Sequence, residues 1–182
     1  YEWSGRAWRQ KGGDIVGEDK YDYSAAHIDM SDDGNTIVVG AYKDDSIFIG
    51  AGHGKQGHVR VCKWDGTAWL QKGATIDGEQ ADGFQSGSSG IAVDLSADGD
   101  ILAIGAETNS NKDAGGRRHH AGHVRVYGWS GNAWRQMGDD IDGEGERDYS
   151  GCAVDLSADG HTLGVGAYLN NGGGTDSGQG RV

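Results

Sequence analysis

The chain has 182 residues, carries a formal net charge of −12 and contains 35 glycines and no proline. Such a length suffices for one domain with its own core, and the acidic balance excludes sequence-independent nucleic-acid binding, which needs clustered Lys and Arg. No apolar run approaches the roughly 18 residues of a membrane span, and glycine without a strict G-X-Y period is not collagen.

Three copies of one pattern run along the chain. Each begins with a tryptophan hairpin: YEWSGRAW at 1–8, CKWDGTAW at 62–69, YGWSGNAW at 127–134. Trp3, Trp64 and Trp129 correspond, as do Trp8, Trp69 and Trp134. A Gly-Glu pair follows at Gly17-Glu18, Gly78-Glu79 and Gly143-Glu144, then Ser24, Ser89 and Ser150, and Asp29, Asp94 and Asp155. The turns Asp33-Gly34, Asp98-Gly99 and Asp159-Gly160 align, and Gly40-Ala41, Gly105-Ala106 and Gly166-Ala167 close the pattern. The second copy is longer between Glu79 and Ser89, which places the insertion in a loop, where length changes cost little.

Within a copy the spacing predicts four short strands. GIAVDLS (90–96) sets Ala92 and Asp94 on one face and Val93 and Leu95 on the other. ILAIGA (101–106) is apolar on both faces, as a strand buried between two layers would be. The Asp-Gly between them predicts a type I′ turn with positive φ at both central positions. HVRVYGW (123–129) alternates, Ser130-Gly131 turns the chain, and a fourth strand runs from Ala133 toward Ile141. Long polar loops at 43–56, 107–121 and 168–179 join the second strand of each unit to the third; the basic run Arg117, Arg118, His119, His120 reads as a solvated loop tip. The repeats are approximately 1–56, 57–121 and 122–182, in one repeat domain. The two cysteines, at single strand positions in different repeats, read as separate thiols.

A four-stranded antiparallel unit repeated in tandem predicts an all-β fold built from blades of a β-propeller. A linear β-solenoid is the alternative, but its repeats are shorter. Three blades do not close a ring, which typically takes four to eight. The last residues, Gly180-Arg181-Val182, read on into Tyr1-Glu2-Trp3 as one strand of the repeat. Three expectations follow: a segment of a longer repeat protein, two chains making a six-bladed ring, or an open end-to-end assembly.

YSGCAVDLSADGHTLGVGAY (149–168), with a G-x-V-x-V-Y strand as in 122–127, resembles the FG-GAP repeat. The likeness covers essentially the whole chain as three copies. The W-[SD]-G-x-A-W hairpin and the I-x-G-E turn fit the microbial and algal surface-protein variety better than integrin α subunits. The "FG" positions read Tyr23-Ser24, Ser88-Ser89 and Tyr149-Ser150, and the "GAP" positions read GAY, GAE and GAY. The resemblance implies an extracellular or cell-surface location and a non-catalytic role in adhesion, scaffolding or surface assembly, with other chains or further repeats as partners.

Asp94, Asp98 and Asp100 are the candidate calcium ligands, with Asp29, Asp32, Asp33, Asp155 and Asp159 at equivalent turns. Calcium wants six to eight oxygens. Integrin-like blades carry a D-x-D-x-D-G-type loop here; S-A-D-G is too tight to wrap an ion, so turn geometry is the competing reading. The asparagines and aspartates of the long loops are a second set. Trp3, Trp8, Trp64, Trp69, Trp129 and Trp134 offer stacking surfaces for glycans, the basis of a lectin-like alternative; recurrence in every repeat favours packing instead. His58 and His123 read as exposed strand residues, with Arg181 taken as their counterpart in the third repeat, and His119-His120 lack neighbours at zinc-ligand spacing. No G-x-S-x-G, H-E-x-x-H or Walker loop is present, so no enzyme is expected.

Overall fold

A computed structural model of the chain describes residues 1–18, 23–42, 57–78, 89–113 and 116–182, with backbone alone for 111–113 and 116–118. Among the described residues it is all-β, without a helix. A short hairpin comes first, β1 (Glu2–Trp3) with β2 (Trp8–Arg9). The first large sheet holds β3 (Ser24–Met30), β4 (Thr36–Ala41) and β5 (His58–Trp64), closed by a broken outer strand, β6 (Trp69–Gln71) and β7 (Ile76–Asp77). The second repeats it with β8 (Ala92–Leu95) and β9 (Ile101–Ala106), a small side hairpin of β10 (Asn111–Asp113) and β11 (Gly116–Arg118), then β12 (His123–Trp129), β13 (Trp134–Gln136) and β14 (Ile141–Asp142). The third holds β15 (Ser150–Leu156), β16 (Leu163–Ala167) and β17 (Gln179–Arg181). All neighbours are antiparallel and no sheet closes on itself.

Each large sheet packs its face on the next, β3 and β4 against β8, and β8, β9 and β12 against β15. The alternation of each strand decides which residues fill which gap. Leu102 and Ile104 of β9 join Val38, Val59, Val61, Val93 and Leu95 between the first and second sheets. Ala103, one residue out of phase, joins Val124, Leu156 and Val165 between the second and third. Leu102, Ala103 and Ile104 are all buried, so β9 is covered on both faces as its composition predicts.

Four expectations are corrected. The Asp-Gly turns are not type I′. Gly34, Gly99 and Gly160 have φ of 64°, 69° and 70°, whereas Asp33, Asp98 and Asp159 stay out of the positive-φ region. The loop is longer than two residues: the Ser31 amide donates to the Thr36 carbonyl at 2.9 Å, and Gly34 N–H to Ser31 O at 2.8 Å inside it. The fourth strand is broken because the chain swings away at Lys72-Gly73, where Gly73 has φ 83°. The 107–121 loop carries the β10–β11 hairpin, and the basic run begins in its second strand. Register places Gln179, not Arg181, with His58 and His123: Ala41, Ala106 and Ala167 face these three in turn. Arg181 instead matches Arg60 and Arg125. The loop at 43–56 and residues 79–88 lie outside the described residues.

Candidate functional site

The recurring polar residues converge on the seams between sheets. Asp29, on β3, accepts a hydrogen bond from Leu95 N–H at 2.7 Å in the second sheet, and Asp94 accepts from Leu156 N–H in the third. Asp32 N–H donates to Ala97 O at 3.0 Å, and Ala97 N–H to Ala158 O at 2.9 Å. Backbones approach so closely that only glycine fits: a Cβ on Gly40 would lie 2.2 Å from Gly90 O, and one on Gly105 2.0 Å from Gly151 O.

Lysine and tryptophan lock the outer rim of each seam. Lys11 Nζ donates to Gly34 O and Asn35 Oδ1, each at 2.8 Å, while Trp69 Nε1 donates to Lys11 O at 2.7 Å. One repeat later, Lys72 Nζ donates to Gly99 O at 2.7 Å and pairs with Asp100, and Trp134 Nε1 donates to Lys72 O at 2.8 Å. The ammonium also sits over the tryptophan pair, 5.2 Å from the Trp129 ring and 5.1 Å from Trp134, a favourable cation–π placement. Arg60, Arg125 and Arg181 reach back to the carbonyls of Val16, Asp77 and Asp142 at 2.6, 3.0 and 2.9 Å.

These contacts show where the sequence-predicted ligands lie. Asp94, Asp98 and Asp100 do not converge on one point. Asp94 is in a seam, beside Asp29; burial, and then that second carboxylate, hold its pKa up at about 6 against the pull of the Leu156 amide. Asp98 caps its own turn, accepting from Ser96 Oγ at 2.6 Å and Asp100 N–H at 3.0 Å, and these donors hold its carboxyl below the usual range. Asp33 does the same with Ser31 and Asn35 and is lowered to about 2. Asp100 faces Lys72. The tryptophans pair within each hairpin at 5.4–5.6 Å and 55–58°. Trp69 and Trp134 are engaged by the preceding repeat, whereas Trp3 and Trp8 are 54% and 67% exposed.

The histidines are corrected outright. His58 and His123 are buried, at 5% and 1% exposure, at the ends of β5 and β12 where β7 and β14 pair with them. No signal within one strand reports that pairing. Sequence reasoning also missed Lys11 and Lys72, whose recurrence in a polar stretch was their only mark, and the seam glycines' steric role.

The seam used twice internally leaves one half open at each end. On the third sheet, Asp155 and Ala153 are exposed, and a Cβ on Gly166 would meet only Ala153 and Cys152 of its own sheet. On the first, Ile28 and Met30 are exposed at 58% and 43%, where their counterparts Val93 and Leu95 are buried. Known protein families and curated proteins offer no match to the chain.

Proposed function

We propose that the chain is a non-catalytic assembly module: a run of FG-GAP-like propeller blades, working in an extracellular or cell-surface scaffold, whose third sheet takes the first sheet of a second copy. Further repeats of the same protein would present the same surface. The observation that carries this reading is the pair of open half-seams. Asp155 is the exposed counterpart of Asp29 and Asp94, and Met30 is the residue whose amide would match those of Leu95 and Leu156. The rim is matched too. Met137, 45% exposed, occupies the place of Lys11 and Lys72, and Trp3–Trp8 is the pair that, among the described residues, no side chain covers in the way Lys72 covers Trp129 and Trp134. A thioether on an aromatic pair is a favourable contact.

Sedimentation equilibrium on residues 1–182 tests this. The expected result is a mass that rises above 19.1 kDa with concentration. Gly166→Val should abolish the rise, with circular dichroism checking that the chain stays folded: Gly166 is not at a positive φ, but Ala153 Cβ, 3.3 Å from the new Cβ in the same sheet, must give by a few tenths of an ångström. A monomer at every concentration, or association indifferent to Gly166→Val, would count against it. The lectin-like alternative rests on the exposed Trp3–Trp8 pair alone. Glycan binding lost in Trp8→Ala, with association intact, would favour that reading.

A further inference from the structure

Register sets His123 opposite Asp142 across β12 and β14, on one face of the sheet. Asp140 stands beside them, its Oδ2 3.9 Å from His123 Nδ1. Gln136 Nε2 holds the other carboxylate oxygen, Oδ1, at 2.7 Å, and so aims Oδ2 at the imidazole. One donor atom from each of the three residues lies within 4.8 Å of the others, the sole such trio among the described residues. The His123 side chain is 1% exposed, and neither ring nitrogen has a hydrogen bond among the described residues. Buried imidazoles rarely leave both nitrogens unsatisfied.

An ion pair does not account for the arrangement. At 3.9 Å the contact is too long for a hydrogen bond. Arg125, two residues along the strand, has its Nη2 on the Asp77 carbonyl. The cluster is also unique to one sheet. Thr75 stands where Asp140 would be in the first sheet, His58 there faces Glu18 at 3.9 Å, and Gln179 replaces the histidine in the third sheet. Structural parts recur in this chain; this group does not.

We infer that His123, Asp140 and Asp142 form a binding site for one first-row divalent transition-metal ion, with zinc the best match. One imidazole and two carboxylates suit such ions, and three protein ligands leave a fourth position for water. Calcium, which wants six to eight oxygens, is poorly served. The site sits on the outer strand of the second sheet and does not depend on the assembly proposed above.

The probe is Co²⁺ added to tag-free residues 1–182, read by visible absorption, with Zn²⁺ as competitor. The expected result is saturation at one equivalent and displacement by Zn²⁺. Asp140→Asn and Asp142→Asn should each weaken binding by at least about tenfold, with circular dichroism showing the fold retained. His58→Gln, in the repeat lacking the second carboxylate, should leave it unchanged. Absence of a saturable one-equivalent signal, or an affinity in Asp140→Asn and Asp142→Asn equal to the parent's, would overturn the assignment. So would Zn²⁺ failing to displace Co²⁺.

Discussion

Asp94 carries a charge into a seam that would rather not hold one. Burial, aided by the adjoining Asp29, raises its pKa to about 6, and the Leu156 amide only partly offsets them. A carboxylate whose folded pKa lies above its unfolded value binds its proton more tightly when folded. Stability therefore increases as pH falls through the folded value, and the gain is complete below the unfolded one. Between about pH 7 and pH 5 Asp94 adds stability on acidification, against His123, whose burial lowers its pKa to about 4 and whose contribution falls over the same window. Asp33 has the opposite sign. Its pKa is lowered to about 2 by Ser31 and Asn35, so its contribution is lost only as pH falls from the usual carboxylate range toward that value. Asp94→Asn keeps an acceptor for Leu156 and offers Asp29 a donor. It should raise the melting temperature at pH 7, and its advantage over the parent should shrink between about pH 7 and pH 5 as Asp94 takes up its proton in the parent. A difference between the two chains that does not change over this window would refute the argument. That Asp29, Asp94 and Asp155 are equivalent is legible in the sequence. That two of them bridge sheets is not, because the partner amide belongs to a residue about sixty positions away.

At the scale of strands, what was legible followed from local pattern. The two-faced apolar run 101–106 is a strand covered on both sides, and the tryptophan hairpins pair Trp64 with Trp69 and Trp129 with Trp134 in register. What failed was set by contacts between strands or beyond them. The break in the fourth strand comes in both sheets at a left-handed glycine, Gly73 at φ 83° and Gly138 at φ 74°, and in the first it lets Lys72 bond the next sheet's turn, which no propensity reports. The turn type failed because Ser31, Ser96 and Ser157 hydroxyls bond the turn aspartates and extend each loop past its Asp-Gly pair. The seam glycines make a sharper test of how sheets stack. Gly105→Ala would put a methyl 2.0 Å from Gly151 O, forcing the second and third sheets apart. We expect a loss of about 1–3 kcal/mol in urea unfolding, the range for overpacking. Hydrogen exchange should quicken in β15–β17 while β4 and β5, across the other seam, keep their protection. A uniform loss across all strands would mean that the sheets do not open separately.

For the whole molecule, the two open faces differ from the inner seams in a pair of positions that fit each other. The β-bulge of β15 places Gly151 at φ 85°, the equivalent Gly90 just before β8 has φ 82°, and the same bulge in β3 places Ala25 at 67°. A left-handed alanine is strained, and its methyl points at the open face. In the inner seams a Cβ at Gly90 or Gly151 would come within 3.0 or 3.1 Å of Val59 Cγ2 or Val124 Cγ2. The third sheet has Gly180 at the position of those valines, with nothing within 4 Å of its own absent Cβ. The space that Ala25 needs on a partner is therefore the space that Gly180 leaves. This yields a compensating pair. Gly180→Val should leave the monomer's stability unchanged but weaken association about tenfold, or about 1.4 kcal/mol. Adding Ala25→Gly should restore it, because glycine and valine then face each other as they do in both inner seams. Sedimentation equilibrium of the two single variants and the double variant decides the matter. Restoration in the double variant requires that the two residues meet across copies, since within one chain they lie on opposite end sheets. Additive or absent effects would mean that the faces join in another register.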